Sequence, residues 1–181
     1  MICRIFQCLG VPVYNADQAA RDLMTHDEQL KADIIKHFGK EAFVDGQLNR
    51  AFLSAKVFGN KDELARLNSL VHPAVHRDYE RWVNNHRESP YTIKEAALIF
   101  EAGTNRSLDK VIVVSAPERL RITRVLARDP HRSERDVKQI MLDQMPESEK
   151  RQKADFIINN DESELVIPQV LELHRRLTAD K

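Results

Sequence analysis

The sequence predicts an α/β fold, a parallel sheet with flanking helices and a long helical insertion between its first two strands. Three observations carry this. Four short runs rich in β-formers, at 11–14, 92–99, 110–115 and 155–159, alternate with segments of helical periodicity, and such alternation argues a parallel, doubly wound sheet. Roughly residues 25 to 88 read as helix, several times the dozen or so residues a parallel crossover needs. An arginine-rich helical segment then follows the third strand.

The elements justify themselves in chain order. Ile2, Ile5, Phe6 and Leu9 form one apolar helical face, and Gly10 stands where such a helix ends. No Ser, Thr, Asp or Asn precedes that helix to cap it. The run 11–14 ends in Asn15-Ala16-Asp17, ahead of a helix "QAARDL". "THDEQLKADIIKHFG" opens with Thr25 and Glu28 at capping-box spacing and closes on Gly39. Asp45-Gly46 predicts a turn before the amphipathic "QLNRAFLSAKVF". A further helix is expected to break near His72-Pro73 and to stop at Pro90.

Six arginines lie between Arg119 and Arg135. Arg124 and Arg128 share a helical face, Pro130 ends that helix, and Ser133 is placed to cap the next with Asp136 at its third position.

Composition narrows the function. Hydrophobic residues make up 42% and charged ones 31%, with 28 basic against 28 acidic side chains. That balance fits a soluble globular chain and gives no global attraction to nucleic acid or membrane, so an anionic ligand needs a local cluster. Aromatics are 6%, too few for a stacking nucleic-acid platform. Cys3 and Cys8 read as free thiols, and no His or Cys follows at metal-ligand spacing. With no membrane-spanning run and no leader pattern, a cytoplasmic protein is expected.

In sheets of this kind functional residues gather at the carboxyl ends of strands. Asp17, just after the first strand, suits a general base or a Mg²⁺ ligand, and equally a helix N-cap. Arg21, one turn on, suits an ion pair with Asp17 or a ligand phosphate. Arg124, Arg128 and Arg132 suit a polyphosphate, although a solvated face balanced by Asp129, Glu134 and Asp136 is the plainer reading. His72 before Pro73 reads as a helix-breaking site more readily than a ligand. Asn159 and Asn160 suit a turn or the reading of a base edge, and Glu101 is a second strand-end carboxylate of open role.

Together these segments resemble the dephospho-CoA kinase family. "VPVYNADQAARDL" is similar to its strand-plus-aspartate segment. "DGQLNRAFLSAKVF" and "LNSLVHP" are similar to its CoA-domain signatures. "AALIFEAG" resembles a proline-leucine-leucine-x-glutamate strand with Ala97 in the proline position. "TRVLARD", "HRSERDV" and Gln144 resemble its lid, and "KADFIINN" its terminal strand, with Asp161 where glycine is usual.

The resemblance implies a P-loop NTPase-type kinase. Its α/β core would be 1–24, 92–118 and 151–181, its helical CoA subdomain 25–91, and its lid 119–150. It implies transfer of the ATP γ-phosphoryl group, with Mg²⁺, to the ribose 3′-hydroxyl of dephospho-CoA, a small-molecule substrate. On this basis Asp17 is the base, Arg124 contacts transferring phosphate, and Arg128 and Arg132 belong to the lid. Arg21 and His72 line the substrate cleft, and Asn159 and Asn160 lie beside the adenine.

The chain contains no G-x-x-x-x-G-K-[ST] motif, and Gly39-Lys40 is followed by Glu41. The resemblance therefore implies a chain without the first strand and phosphate loop, through a misassigned start or a truncation, and little turnover as it stands. The missing strand would leave its two neighbours with unpaired edges. A non-catalytic paralogue binding a CoA-like ligand would be expected to lose Asp17, Arg124 and Arg128, which are present. A kinase of another nucleotide acceptor is the remaining alternative.

Overall fold

The computed structural model describes residues 1–179. Its elements in chain order are α1 (Ile2–Cys8), β1 (Val13–Asn15), α2 (Ala16–His26), α3 (Glu28–Phe38), β2 (Phe43–Val44) and β3 (Gln47–Leu48). Then come α4 (Arg50–Val57), α5 (Lys61–Asn84), β4 (Ile93–Glu95), β5 (Ile112–Ser115) and α6 (Glu118–Arg128). The last are α7 (Glu134–Leu142), α8 (Glu147–Lys153), β6 (Phe156–Asn159) and α9 (Val166–Ala179). The chain divides into two compact units, Gly10–Ala96 and Met1–Leu9 with Ala97 onward.

In the first unit β1 pairs parallel with β4, with Val13 opposite Ile93 and Asn15 opposite Glu95. The helices between them bury a continuous core of Leu30, Ile34, Phe38, Leu53, Val71 and Ala74. α3 contributes Leu30, Ile34 and Phe38, spaced i, i+4, i+8 on one helical stripe.

The α3 start differs from the Thr25–Glu28 box. The cap is Asp27, whose carboxylate accepts the Leu30 N–H at 2.9 Å, while the Thr25 hydroxyl donates back to the Arg21 carbonyl inside α2. Gly39 does end α3, at φ 97°. The Asp45-Gly46 turn joins an antiparallel hairpin, β2–β3, that the apolar pattern alone did not announce. Both turn residues have positive φ, 50° and 78°, as a two-residue hairpin turn of this hand requires.

The expected break at His72-Pro73 does not occur. α5 runs unbroken from Lys61 to Asn84 with Pro73 inside it. Proline there withholds one N–H from the Ser69 carbonyl, but Val71 and Ala74 on either side are buried in the core. Tertiary packing holds a helix that local propensity would interrupt.

In the second unit β5 pairs parallel with β6, from Ile112–Phe156 to Ser115–Asn159. α1 packs against α9, with Phe6 and Val170 almost wholly buried. Asp155 ties the start of this ladder, its carboxylate accepting the Val111 N–H at 2.8 Å and lying 3.4 Å from the Lys110 ammonium. The backbone bond to Val111 first, and then Lys110, hold its carboxyl below the ordinary carboxylate range. Among the described residues β4 and β5 each have one strand partner.

Two outcomes follow. Ile34, fully buried, should cost about 2–5 kcal/mol as Ile34→Ala, read from urea unfolding; a loss below about 1 kcal/mol would contradict the packing. The Asp155 pKa is lower folded than unfolded, so its contribution is present above about pH 4 and fades as pH falls. The stability gap between the parent chain and Asp155→Asn should therefore shrink as pH is lowered from about 5 to 3, followed by thermal melts.

Candidate active-site residues

β1 is anchored from inside. Tyr14 is buried, and its hydroxyl donates to the Asp78 carboxylate on α5 at 2.8 Å. Its ring contacts Tyr79 and Trp82 at centroid distances of 5.1 and 5.4 Å. Burial first, then the bond to Asp78, push its hydroxyl well above the usual tyrosine range. This fixes the strand end from which α2 departs.

Asn15, not Asp17, caps α2. Its side-chain oxygen accepts the Gln18 N–H at 2.9 Å, and its amide donates to Glu95 at the end of β4 at 2.9 Å. The N-cap role weighed for Asp17 is thus taken two residues earlier, because Asn15 is the residue that still has extended backbone. Asp17 stands in the first turn of α2, exposed, its carboxylate without a hydrogen bond or ion pair among the described residues.

A cleft of about 490 Å³ opens between β1, α2 and α5, lined by the α2 face that carries Gln18 and Asp22; Asp17, Arg21 and His72 are not among the residues that line it. The carboxylates lining that cleft are engaged: Asp22 by Gln18, Asp27 as the α3 cap and Asp78 by Tyr14. The free carboxylate at the end of the β1–β4 pair is Asp17. Arg21, a turn further on, is exposed and makes no ion pair with it. His72 lies exposed in mid-α5 between buried Val71 and Ala74.

The second unit brings another set together at the carboxyl ends of β5 and β6. The Asn160 N–H extends the ladder by donating to the Ser115 carbonyl at 2.7 Å. Arg124 on α6 donates to the Asn160 carbonyl at 2.8 Å and to the Glu162 carboxylate at 3.1 Å. Asn159 is held by Gln169 of α9, which accepts its N–H at 2.8 Å and donates to its carbonyl at 3.0 Å. The Asn159 side chain also accepts from Arg151 at 3.4 Å.

The loop beyond is locally constrained. Asp161 receives the Ser163 N–H and hydroxyl, and Glu162 holds φ 72° without being glycine. A left-handed non-glycine residue costs roughly 1–2 kcal/mol and often marks functional loops. The left-handed position is thus Glu162, one residue past Asp161.

Arg128 and Arg132 converge on one carboxylate, Asp129, at 2.8 and 3.5 Å. Arg128 uses two donors, at 3.0 and 2.8 Å, which raises its own pKa and lowers that of Asp129. Glu162, Gln169 and Arg151 were not singled out from sequence, since each acts through a contact at least eight residues away. Glu101, expected at a strand end, instead sits in a turn six residues after β4, with its carboxylate engaged by Met145 and Lys150.

The profile of the family described as dephospho-CoA kinase (CoaE) matches residues 1–165. A dephospho-CoA kinase of Bacteroides fragilis is 30% identical over 174 residues, covering 96% of this chain and 84% of the relative. One of Colwellia psychrerythraea is 36% identical over 165 residues, 91% and 81% of the two chains. Among solved structures, TT1252 of Thermus thermophilus superposes with a TM-score of 0.78 at 29% identity, covering 99% of this chain and 89% of that one. Dephospho-CoA kinase of Campylobacter jejuni gives 0.71 at 26%, covering 99% and 90%. These likenesses run through both units, and with an α/β fold built on parallel strand pairs the chain belongs to the dephospho-CoA kinase family of phosphotransferases.

Proposed function

We propose that the protein's chemistry is transfer of the γ-phosphoryl group of ATP to the ribose 3′-hydroxyl of dephospho-CoA, in the cytoplasm, with low turnover in this chain for want of a G-x-x-x-x-G-K-[ST] motif. The observation that carries this is the unpartnered carboxylate of Asp17 at the end of a parallel strand pair. Phosphoryl transfer asks the protein for positioning and charge neutralisation and for one group to take the hydroxyl proton. Asp17 takes that proton. Arg21 and His72, exposed in the same unit, meet the acceptor, and residues 25–91 form the helical subdomain that receives it.

Arg124 neutralises charge on the transferring phosphate, and residues 119–150 form a lid carrying Arg128 and Arg132. Their present partners, Glu162 and Asp129, are carboxylates that a polyphosphate would replace with equivalent acceptors. Asn159 and Asn160 border the adenine, held in place by Gln169 and the β5–β6 ladder. Among the described residues no three His, Cys, Asp or Glu side chains gather to hold a metal. Asp17 is the free carboxylate that would face a Mg²⁺ brought in with ATP. The ion would offset phosphate charge during transfer. The presence of Asp17, Arg124 and Arg128 disfavours a non-catalytic paralogue.

Calorimetry should show one-to-one uptake of dephospho-CoA; binding of nucleoside monophosphates in its place would overturn the acceptor assignment. Asp17→Asn should lower CoA formation by about 10²–10⁴-fold relative to the parent chain with little change in KM for dephospho-CoA. Arg124→Lys should lower kcat/KM for ATP by about 10²-fold, and parent-like kinetics would remove it from the phosphate site. Mass spectrometry of CoA follows both.

A further inference from the structure

Glu101 stands outside the machinery described so far, in a turn that is itself tightly closed. The Ala102 N–H donates to the Leu98 carbonyl at 3.0 Å, and the Thr104 N–H and hydroxyl both donate to that of Ile99. Gly103 turns the chain through a left-handed φ of 66°. The carboxylate is therefore presented from a rigid platform.

One of its oxygens accepts the Met145 N–H at 2.8 Å and lies 3.0 Å from the Lys150 ammonium. With side-chain exposures of 20% for Glu101 and 15% for Lys150, this is the least exposed ion pair among the described residues. Burial alone would raise the Glu101 pKa. Its own N–H, that of Met145, and Lys150 outweigh burial and hold it below the ordinary carboxylate range.

Met145 is where the arginine-bearing arm rejoins the body of its unit. The arm leaves β5 through α6, turns at Asp129–Ser133 and returns along α7, which packs on α6. α8, which follows, packs on β5. A second tie near this foot is less complete. Arg121 on α6 approaches Glu147 on α8 at 3.6 Å, while Arg121 Nε and Glu147 Oε1 are buried without a hydrogen-bond partner. Of the two ties, only the one at Glu101 is closed in hydrogen-bonding geometry.

We propose that Glu101 is a positioning residue for this arm: by clamping Met145 and Lys150 it fixes the arm's return foot and so sets where Arg124, Arg128 and Arg132 stand. Calling the arm a lid over phosphate rests on the kinase reading; the clamp itself rests on the contacts above. The body grips the foot by a charge-assisted bond to a main-chain N–H, which holds backbone position in a way a side-chain ion pair alone does not.

Hydrogen exchange on the 181-residue chain tests it. Glu101→Ala, which removes both contacts, should speed exchange of the Met145 amide and the first turn of α8 by about tenfold. Glu101→Gln keeps an acceptor for Met145, and Lys150→Met removes the ion pair alone, so each should show a smaller increase. β5, β6 and α9 should exchange as in the parent chain. Parent-like exchange at Met145 in Glu101→Ala overturns the clamp. So does an increase spread evenly over β5, β6 and α9, which would mark Glu101 as a general stability residue. A parent chain that takes up no dephospho-CoA in calorimetry would refute the kinase reading, while exchange alone decides the clamp.

Discussion

The parallel ladder between β5 and β6 is the constraint on which the second unit depends. It is locked at both ends: Asp155 accepts the Val111 N–H at the start, and Asn160 donates to the Ser115 carbonyl beyond the last paired residue. A parallel pair has no hairpin to hold its register, so side chains and flanking helices must supply the ends. Because the ladder runs one residue past Asn159, the Asn160 carbonyl is set where Arg124 reaches it from α6. Gln169 from α9 grips Asn159 from the other side. The arginine proposed to meet phosphate is thus positioned by backbone geometry.

The first unit uses a different device for the same end. Its parallel pair is only three residues long, and so short a ladder needs help. Tyr14 supplies it from within, through Asp78 and an aromatic cluster on α5, while Asn15 bridges to Glu95 and caps α2. Those neighbours absorb the polar groups around the strand end and leave Asp17 as the carboxylate with no internal partner. A carboxylate that spends its lone pairs on structural bonds is a poorer proton acceptor, so this division of labour between Asn15 and Asp17 suits the role proposed for Asp17.

Local rules legible in the residues account for much of this. The Ser133–Asp136 capping box forms as spaced, Gly39 ends its helix, and Asp45-Gly46 makes its turn. Each of these depends on atoms within four residues, where sequence and geometry are nearly the same information. The departures have two causes. Pro73 is carried through α5 because packing outweighs local preference where Val71 and Ala74 are buried, whereas the exchange of Thr25 for Asp27 as the cap is itself local, the Thr25 hydroxyl bonding back into α2.

The sequence by itself determined the α/β class, four of the six strands among the described residues and the identity of the candidate residues, since periodicity, capping and turn chemistry are written in neighbouring side chains. Only the tertiary structure decided what those residues do to one another. It tied Asn15 to Glu95 across 80 residues. It joined Arg124 to Asn160 across 36 residues. It also turned Glu101 from a strand-end acid into a clamp on Met145, 44 residues away. Contacts of that sequence separation arise from strand pairing and core packing, which no window of local pattern contains.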